Sequence, residues 1–275
     1  MRTDAISAER AAQLEMCETN AWLDMYAAAP SEFVRQFQLE IMRVGPVVFT
    51  RCKHIPFIHF NCVKNFGVTQ PATEAILDQI IATYHEAGIH DFTFYHILQA
   101  QPAELPAWFQ ARKLRLRGGW DRIYRTGAPL AADPIAVPTD MHVEKVTSTN
   151  AADWATFIDR LYGLPTTPWL LALVGRPGWH HYLLRQRSEV AAVRTMYVSD
   201  GMAWFGIDTP VPGIMAPSYA LDAQVCQVMV RDGLALGVQL FAADIEAPSV
   251  TQDTPAYDYF GKLGFTCPYF REHYG

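Results

Sequence analysis

The sequence predicts an α/β protein of the α+β type with a mixed sheet. Each of two similar domains is expected to have a central mixed β-sheet flanked by helices. A strand–loop–helix–strand–helix pattern runs from Ala203 to Phe265, with glycines at 237 and 264 where its two helices end. The first half closes with the same order of strands and helices. A proline-containing stretch, 126–139, separates the two halves.

Elements of the first half follow from apolar periodicity and from Gly and Pro punctuation. Apolar residues at helical spacing predict helices, and runs of β-branched and aromatic residues predict strands. The predicted helices are 5–28, Glu32–Ile41, Thr73–Ala87 and Leu105–Leu114. The predicted strands are Val47–Cys52, Pro56–Val63, Asp91–His96 and Leu116–Tyr124.

The second half follows a linker, which gives the domain ranges 1–126, 127–139 and 140–275. It opens with a strand, His142–Val146, and a helix that starts at Thr149-Asn150. Trp169–Arg185 is read as partly helical, and Asp208–Ser218 as a loop broken by Pro and Gly. The remaining predicted elements are a hairpin of Val190–Val198 and Met202–Ile207, a helix Tyr219–Leu236, a strand Val238–Ala242 and a helix Pro255–Leu263.

Composition excludes several classes of function. The 275 residues carry a net charge of −6, which argues against non-specific binding to nucleic acid or to an anionic membrane. The amino terminus lacks an apolar signal segment, and no run of 18 apolar residues occurs. A cytoplasmic protein with neither a nucleic-acid nor a membrane partner is expected, and the sequence is compatible with a homodimer.

No metal site is predicted from the cysteines and histidines. The five cysteines form no C-x-x-C pair, so buried reduced thiols are expected. His180 and His181 are adjacent, and on a helix their side chains diverge by about 100°. The basic residues near the end of the first half are interpreted as a solvated face, with a phosphate-binding or partner surface as the alternative; they are Arg112, Lys113, Arg115, Arg117 and Arg122.

Short motifs along residues 40 to 275 resemble the GNAT superfamily of acyltransferases, in the two-domain bacterial form. The segments that carry the resemblance are Phe60-Asn61-Cys62-Val63, Pro71-Ala72-Thr73-Glu74, Leu173–Trp179 with His181-Tyr182, Lys262–Phe265 and Tyr269–Tyr274. The resemblance implies tandem GNAT-like domains, the first of them degenerate. It also implies acetyl-CoA or another acyl-CoA as co-substrate and a small-molecule amine as acceptor.

The resemblance places acyl-CoA against the strand and loop that precede the second-half helix. A splayed strand would bind the pantetheine arm, and the helix N-terminus would bind the pyrophosphate. The implied cofactor-binding residues are Ile207, Pro210, Val211, Gly213, Ile214, Met215, Ala216, Ser218, Tyr219 and Tyr259. The loop departs from the family pattern, because Pro217 removes a backbone N–H and Ala216 adds a Cβ where phosphate approaches the backbone.

Candidate catalytic residues combine this resemblance with general acid–base chemistry. The family often has its thiolate acid where this chain has Phe260, and Tyr257 matches the alternative position one turn earlier. Asp208, Asp244 and Glu246 follow strands at the edge where open sheets bind ligands, and any of them could be the base.

Two functions of different classes remain open at this point. The first is an acyl-CoA-dependent N-acyltransferase that acts on a small amine or amino-acid-like substrate. The alternative is a pseudo-acyltransferase that has lost ordinary CoA binding and serves as a ligand-binding or regulatory module.

Overall fold

The computed structural model describes residues 6–131, 134–207, 218–246 and 255–275. The first half begins with two helices and an antiparallel hairpin, and continues with strands and helices in alternation. Its elements are α1 (Ala8–Ala27), α2 (Ser31–Phe37), β1 (Leu39–Val44), β2 (Val47–Cys52), β3 (Cys62–Val63), α3 (Glu74–Glu86), β4 (Thr93–His96), α4 (Leu105–Ala111) and β5 (Leu116–Thr126).

The second half repeats the alternation after a longer antiparallel section. Its elements are β6 (Met141–Lys145), α5 (Ala151–Tyr162), α6 (Thr167–Leu171), β7 (Trp179–Gln186), β8 (Glu189–Ser199), β9 (Met202–Gly206), α7 (Ser218–Ala235), β10 (Leu240–Glu246), α8 (Ala256–Lys262) and β11 (Thr266–Tyr274). The order β3-α3-β4-α4-β5 therefore matches β9-α7-β10-α8-β11, which is the internal repeat that the sequence predicts.

The chain divides into two compact units. The N-terminal unit comprises the described residues up to Trp120 together with Tyr269–Gly275, and the C-terminal unit contains Asp121–Pro268. The end of β5, the last strand of the first copy of the repeat, thus belongs to the C-terminal unit. The end of β11, the last strand of the second copy, belongs to the N-terminal unit. The domain ranges 1–126 and 140–275 stay a prediction. The two compact units do not test them, because the N-terminal unit is made of two separate stretches of the chain.

In the C-terminal unit, strands follow the order β5-β10-β9-β8-β7-β6. The strands from β6 to β9 form antiparallel pairs, and β10 runs parallel to β9. One face of this sheet packs against α7 and α8 through side chains such as Met196, Phe205 and Phe241. The other face packs against α5 and α6 through Trp154 and Leu170. The sheet is therefore covered on both faces.

In the N-terminal unit, β3 pairs with β4 in parallel, and β4 pairs with the chain's last strand in antiparallel register. The register joins His273 to Tyr95 and Tyr274 to Phe94. A separate hairpin, β1 with β2, carries Phe49 against Tyr84 of α3. The end of β11 is thus part of this unit's sheet.

Buried ion pairs connect β11 to α1 in the N-terminal unit. Arg271 is fully buried and forms ion pairs with Glu15, at 3.3 Å, and with Glu18. Lys64 lies 3.2 Å from the second of these carboxylates. Burial lowers the pKa of His59 to about 3 and that of His273 well below its usual value, so both rings are neutral at pH 7. The two cations therefore balance the two carboxylates.

Three sequence predictions about local structure are wrong. The helix predicted over Glu32–Ile41 ends at Phe37, because Gln38 adopts a left-handed conformation and β1 begins at the next residue. The strand predicted over Pro56–Val63 is mostly a 3-10 turn, Ile58–Phe60. Trp169–Arg185 is not helical beyond α6, since Trp179–Gln186 pairs with two neighbouring strands. His180 and His181 therefore lie on a strand rather than a helix.

Candidate active site

The β9–β10 opening is the part of the C-terminal unit where two parallel strands separate. Among the described residues, their register pairs Leu240 with Met202, Phe241 with Ala203 and Ala242 with Trp204, and it ends there. Both strands continue, β9 as Phe205-Gly206 and β10 as Ala243–Glu246. Beyond the third pair, the backbone N–H and C=O groups of these continuing residues are therefore not paired with each other in a β-ladder. We use the name β9–β10 opening for these residues.

Gly206 and Ile207 shape the β9 side of the opening. The indole of Trp204 lies across Gly206 so closely that a Cβ at that position would overlap the ring. Ile207 follows with φ of +48°, which is unusual for a β-branched residue and turns the chain sharply out of the strand. The backbone therefore leaves β9 at the position where the resemblance places the first cofactor-binding residue.

Asp244 lies on the β10 side of the opening and forms an ion pair with Arg122 of β5. Their Oδ1 and Nη1 atoms are 3.4 Å apart, and the Arg122 side chain is fully buried while that of Asp244 is 15% exposed. Asp244 alternates with Ala243 and Ile245, which face α7 and α8. The carboxylate therefore lies on the sheet face opposite to those two helices.

Tyr257 lies in the first turn of α8 and donates its hydroxyl hydrogen to Oδ2 of Asp121. Both residues are buried, with 7% and 1% exposure. Asp121 directly precedes Arg122 on β5, so their side chains point to opposite faces of the sheet. The candidate acid and one candidate base thus lie on opposite faces of the sheet, and consecutive residues of β5 contact them.

The start of α7 is fixed to the sheet by a second buried ion pair. Arg194 of β8 pairs with Asp222, which is in the second turn of the helix, and each side chain is 1% exposed. Tyr219 is half-buried and packs against the same core. This ion pair therefore connects the N-terminal part of α7 to β8.

Other predicted site residues are only partly within the described structure. Tyr259 is half-buried, with Lys262 Nζ 5.8 Å from its ring centre. Ser218 begins α7 and Glu246 ends β10. The residues that lie outside the described ranges are Asp208, Pro210, Val211, Gly213, Ile214, Met215 and Ala216.

Sequence reasoning missed three residues of this site and misread a fourth. Asp121, Arg194 and Asp222 carry no motif, and Arg122 is assigned from the sequence to a solvated basic face. Its full burial beside Asp244 makes that assignment wrong. Asp121 and Arg122 lie between two apolar residues of the predicted strand, Trp120 and Ile123, which is a weak signal that could have indicated burial.

His181 and the five cysteines pack in the core. His181 is buried against Trp154, and its Nδ1 is 2.9 Å from Thr195 Oγ1. Burial lowers its pKa to about 4. All five cysteines are buried thiols, as the sequence predicts. Within the described ranges, no helix has both the length and the apolar character needed to cross a bilayer.

The fold matches that of solved GNAT structures over almost the whole chain. No family model and no curated protein sequence matches the chain. A GCN5-related N-acetyltransferase from Kribbella flavida superposes with a TM-score of 0.65 at 13% identity, covering 99% of this chain and 96% of the other.

Two further solved structures extend the comparison. A GCN5-related N-acetyltransferase from Sphaerobacter thermophilus gives a TM-score of 0.59 at 13% identity, covering 98% of this chain and 93% of the other. A tandem GNAT protein from the clavulanic acid biosynthesis pathway gives 0.53 at 14%, covering 98% and 96%. The fold is therefore the tandem GNAT fold, and identities this low say nothing further about activity.

Proposed function

We propose that the protein is an acyl-CoA-dependent N-acyltransferase acting on a small amine or amino-acid-like substrate. The observation that carries this proposal is the β9–β10 opening, where ladder pairing ends at Ala242 and Trp204 although both strands continue. An extended pantetheine arm could pair with backbone groups there. The N-terminus of α7 follows β9 in the chain, and helix N-termini favour phosphate.

In the proposed reaction, the amine nitrogen attacks the thioester carbonyl carbon and the carbon–sulfur bond breaks. The sulfur takes the hydroxyl proton of Tyr257, and a carboxylate takes the proton that the amine loses. Asp208, Asp244 and Glu246 remain the candidate bases. For Asp244, the ion pair with Arg122 stabilises the charged carboxylate, which makes it a weak base unless substrate binding separates the pair.

A second candidate is a binding or regulatory module without catalysis. The observation that favours it is that both described proton-transfer candidates already have partners, Tyr257 with Asp121 and Asp244 with Arg122. In an enzyme without substrate such contacts are compatible with catalysis, because they can rearrange when the substrate binds. Measurements of acyl-CoA binding and of turnover distinguish the two functions, because only the acyltransferase must do both.

Thermal unfolding in the presence of acyl-CoA tests the proposed function. A ligand at 100 times its Kd stabilises the folded protein by about 2.7 kcal/mol. For a chain of this size, that corresponds to a rise in Tm of roughly 5–10 °C. We expect such a rise with acetyl-CoA or a longer acyl-CoA, and none with acetate alone. An unchanged Tm with every acyl-CoA tested would favour the non-catalytic module.

A further inference from the structure

Asp121 contacts the candidate acid from a strand that precedes the linker in the sequence. Its Oδ2 accepts the hydroxyl hydrogen of Tyr257, although 136 residues separate the two in the chain. Asp121 is 1% exposed and Tyr257 is 7% exposed. A buried, charge-assisted hydrogen bond of this kind fixes the orientation of the hydroxyl more strongly than a neutral bond would.

The position of this contact links it to the β9–β10 opening. β5 lies next to β10 in the sheet of the C-terminal unit. The residue after Asp121, Arg122, reaches Asp244 on the β10 side of the opening. Asp121 is therefore the neighbour of a residue that contacts this side of the opening, and its hydrogen bond with Tyr257 lies on the face that carries α7 and α8.

A carboxylate next to a phenol favours the protonated phenol, because a phenolate would place a second negative charge beside it. A tyrosine that donates its proton to the departing thiolate must regain one from solvent before the next turnover. A neighbouring carboxylate favours the return of that proton, so the phenol stays protonated to higher pH.

We infer that Asp121 is a positioning residue for Tyr257, holding its hydroxyl in place and keeping it protonated. The inference rests on the proposed acyltransferase function. In the proton-transfer step, the hydroxyl hydrogen turns from Asp121 to the sulfur, so the Tyr257 O–H bond breaks and an S–H bond forms on CoA. Asp121 itself gains and loses no proton, and it accepts the hydrogen bond again once the phenol has regained a proton from solvent. The active site of the second copy of the repeat would then require a residue from the last strand of the first.

The test compares Asp121→Asn with the wild-type protein across pH. Asparagine keeps the size and can still accept a hydrogen bond, but it lacks the charge. We expect kcat to fall about 10-fold at neutral pH with KM nearly unchanged. We expect the alkaline limb of the kcat profile to move to lower pH by about one unit. Combining this change with Tyr257→Phe should cause no further loss.

The same unit offers a matched control. Tyr182 donates to Asp232 Oδ2 over 2.7 Å, and burial together with this carboxylate raises the pKa of Tyr182. Asp232→Asn removes the carboxylate partner of a tyrosine outside the opening, a carboxylate that also pairs with Lys145 at 2.9 Å. It should leave the alkaline limb of kcat where it is. An Asp121→Asn profile identical to that of Asp232→Asn would overturn the inference.

A second readout does not depend on activity. Carbon-13 NMR of labelled tyrosine, assigned with Tyr257→Phe, reports the ionisation of Tyr257 directly. The inference requires this pKa to fall in Asp121→Asn, and an unchanged pKa would overturn it whether or not the protein is an enzyme. Absence of acyl transfer by the wild-type protein would instead count against the proposed function, so the two failures are distinguishable.

Discussion

Replacing Arg271 with methionine should destabilise the N-terminal unit by about 3–5 kcal/mol, the usual cost of removing one partner from a buried ion pair. The guanidinium is fully buried, and its two carboxylate partners, Glu15 and Glu18, are 0% and 2% exposed. Methionine fills most of the volume but removes the guanidinium from both carboxylates, and Lys64 lies 3.2 Å from Glu18.

The side chains around Arg271 leave little room for water to solvate Glu15 and Glu18 after the substitution. Its guanidinium carbon lies 4.2 Å from the centre of the Tyr95 ring, and the hydroxyl of Tyr269 donates to Glu15 over 2.8 Å. The residues around the two carboxylates are therefore packed rather than solvated. Hydrogen exchange of amides in α1 and β4, followed in wild-type and variant proteins, measures the loss for this unit alone.

Arg112→Met is the matched control within the same unit. Arg112 pairs with Glu74 and Asp78, whose side chains are 56% and 59% exposed. Exposed pairs contribute about 0–1 kcal/mol, so this variant should lose less than about 1 kcal/mol. Equal losses in the two variants would show that the buried cluster does not stabilise the unit as described.

Replacing Tyr257 with phenylalanine should lower kcat by about 10²–10⁴-fold, which is the usual contribution of a positioned general acid. KM for acyl-CoA should change little, because the lost proton transfer belongs to the transition state rather than to binding. The folded state should also lose about 1–3 kcal/mol, since Asp121 is buried and loses a donor. Steady-state kinetics and urea denaturation measure the two effects separately.

Tyr182→Phe is the control for this second substitution. It removes a hydroxyl that donates to another aspartate of the same unit, so it should affect stability without affecting kcat. If Tyr257→Phe retained full kcat, the assignment of Tyr257 as the acid would be wrong. The proposed acyl transfer would then need a different proton donor.

Local periodicity is the part of this fold that a sequence can predict. Helices α3, α5 and α7 carry apolar residues at helical spacing and end near glycines, so their bounds are close to the predicted ones. The sequence prediction for β7 is wrong because Trp179–Leu184 joins two adjacent histidines to four large aromatic or aliphatic residues, so it has no alternation that distinguishes a strand from a helix. Its identity as a strand comes from pairing with β6 and β8.

Long-range pairing is the part that a sequence cannot predict by these means. Nothing within Tyr269–Tyr274 indicates that it pairs with β4, almost 180 residues earlier in the chain. The contacts of Asp121 with Tyr257 and of Arg122 with Asp244 have the same origin, because β5 lies beside β10 only after the sheet has formed. The resemblance to GNAT proteins predicted the fold, which is confirmed, and Tyr257 as a candidate acid, which stays a prediction, but it could not identify these partners.

Hydrogen exchange of the backbone in the presence of acetyl-CoA tests the central claim most directly. If the β9–β10 opening binds the co-substrate, amides of Trp204–Ile207 and the first turn of α7 should exchange more slowly, while amides of β6 and β7 stay unchanged. Unaltered exchange at the opening under saturating acetyl-CoA, or protection confined to the N-terminal unit, would contradict the account.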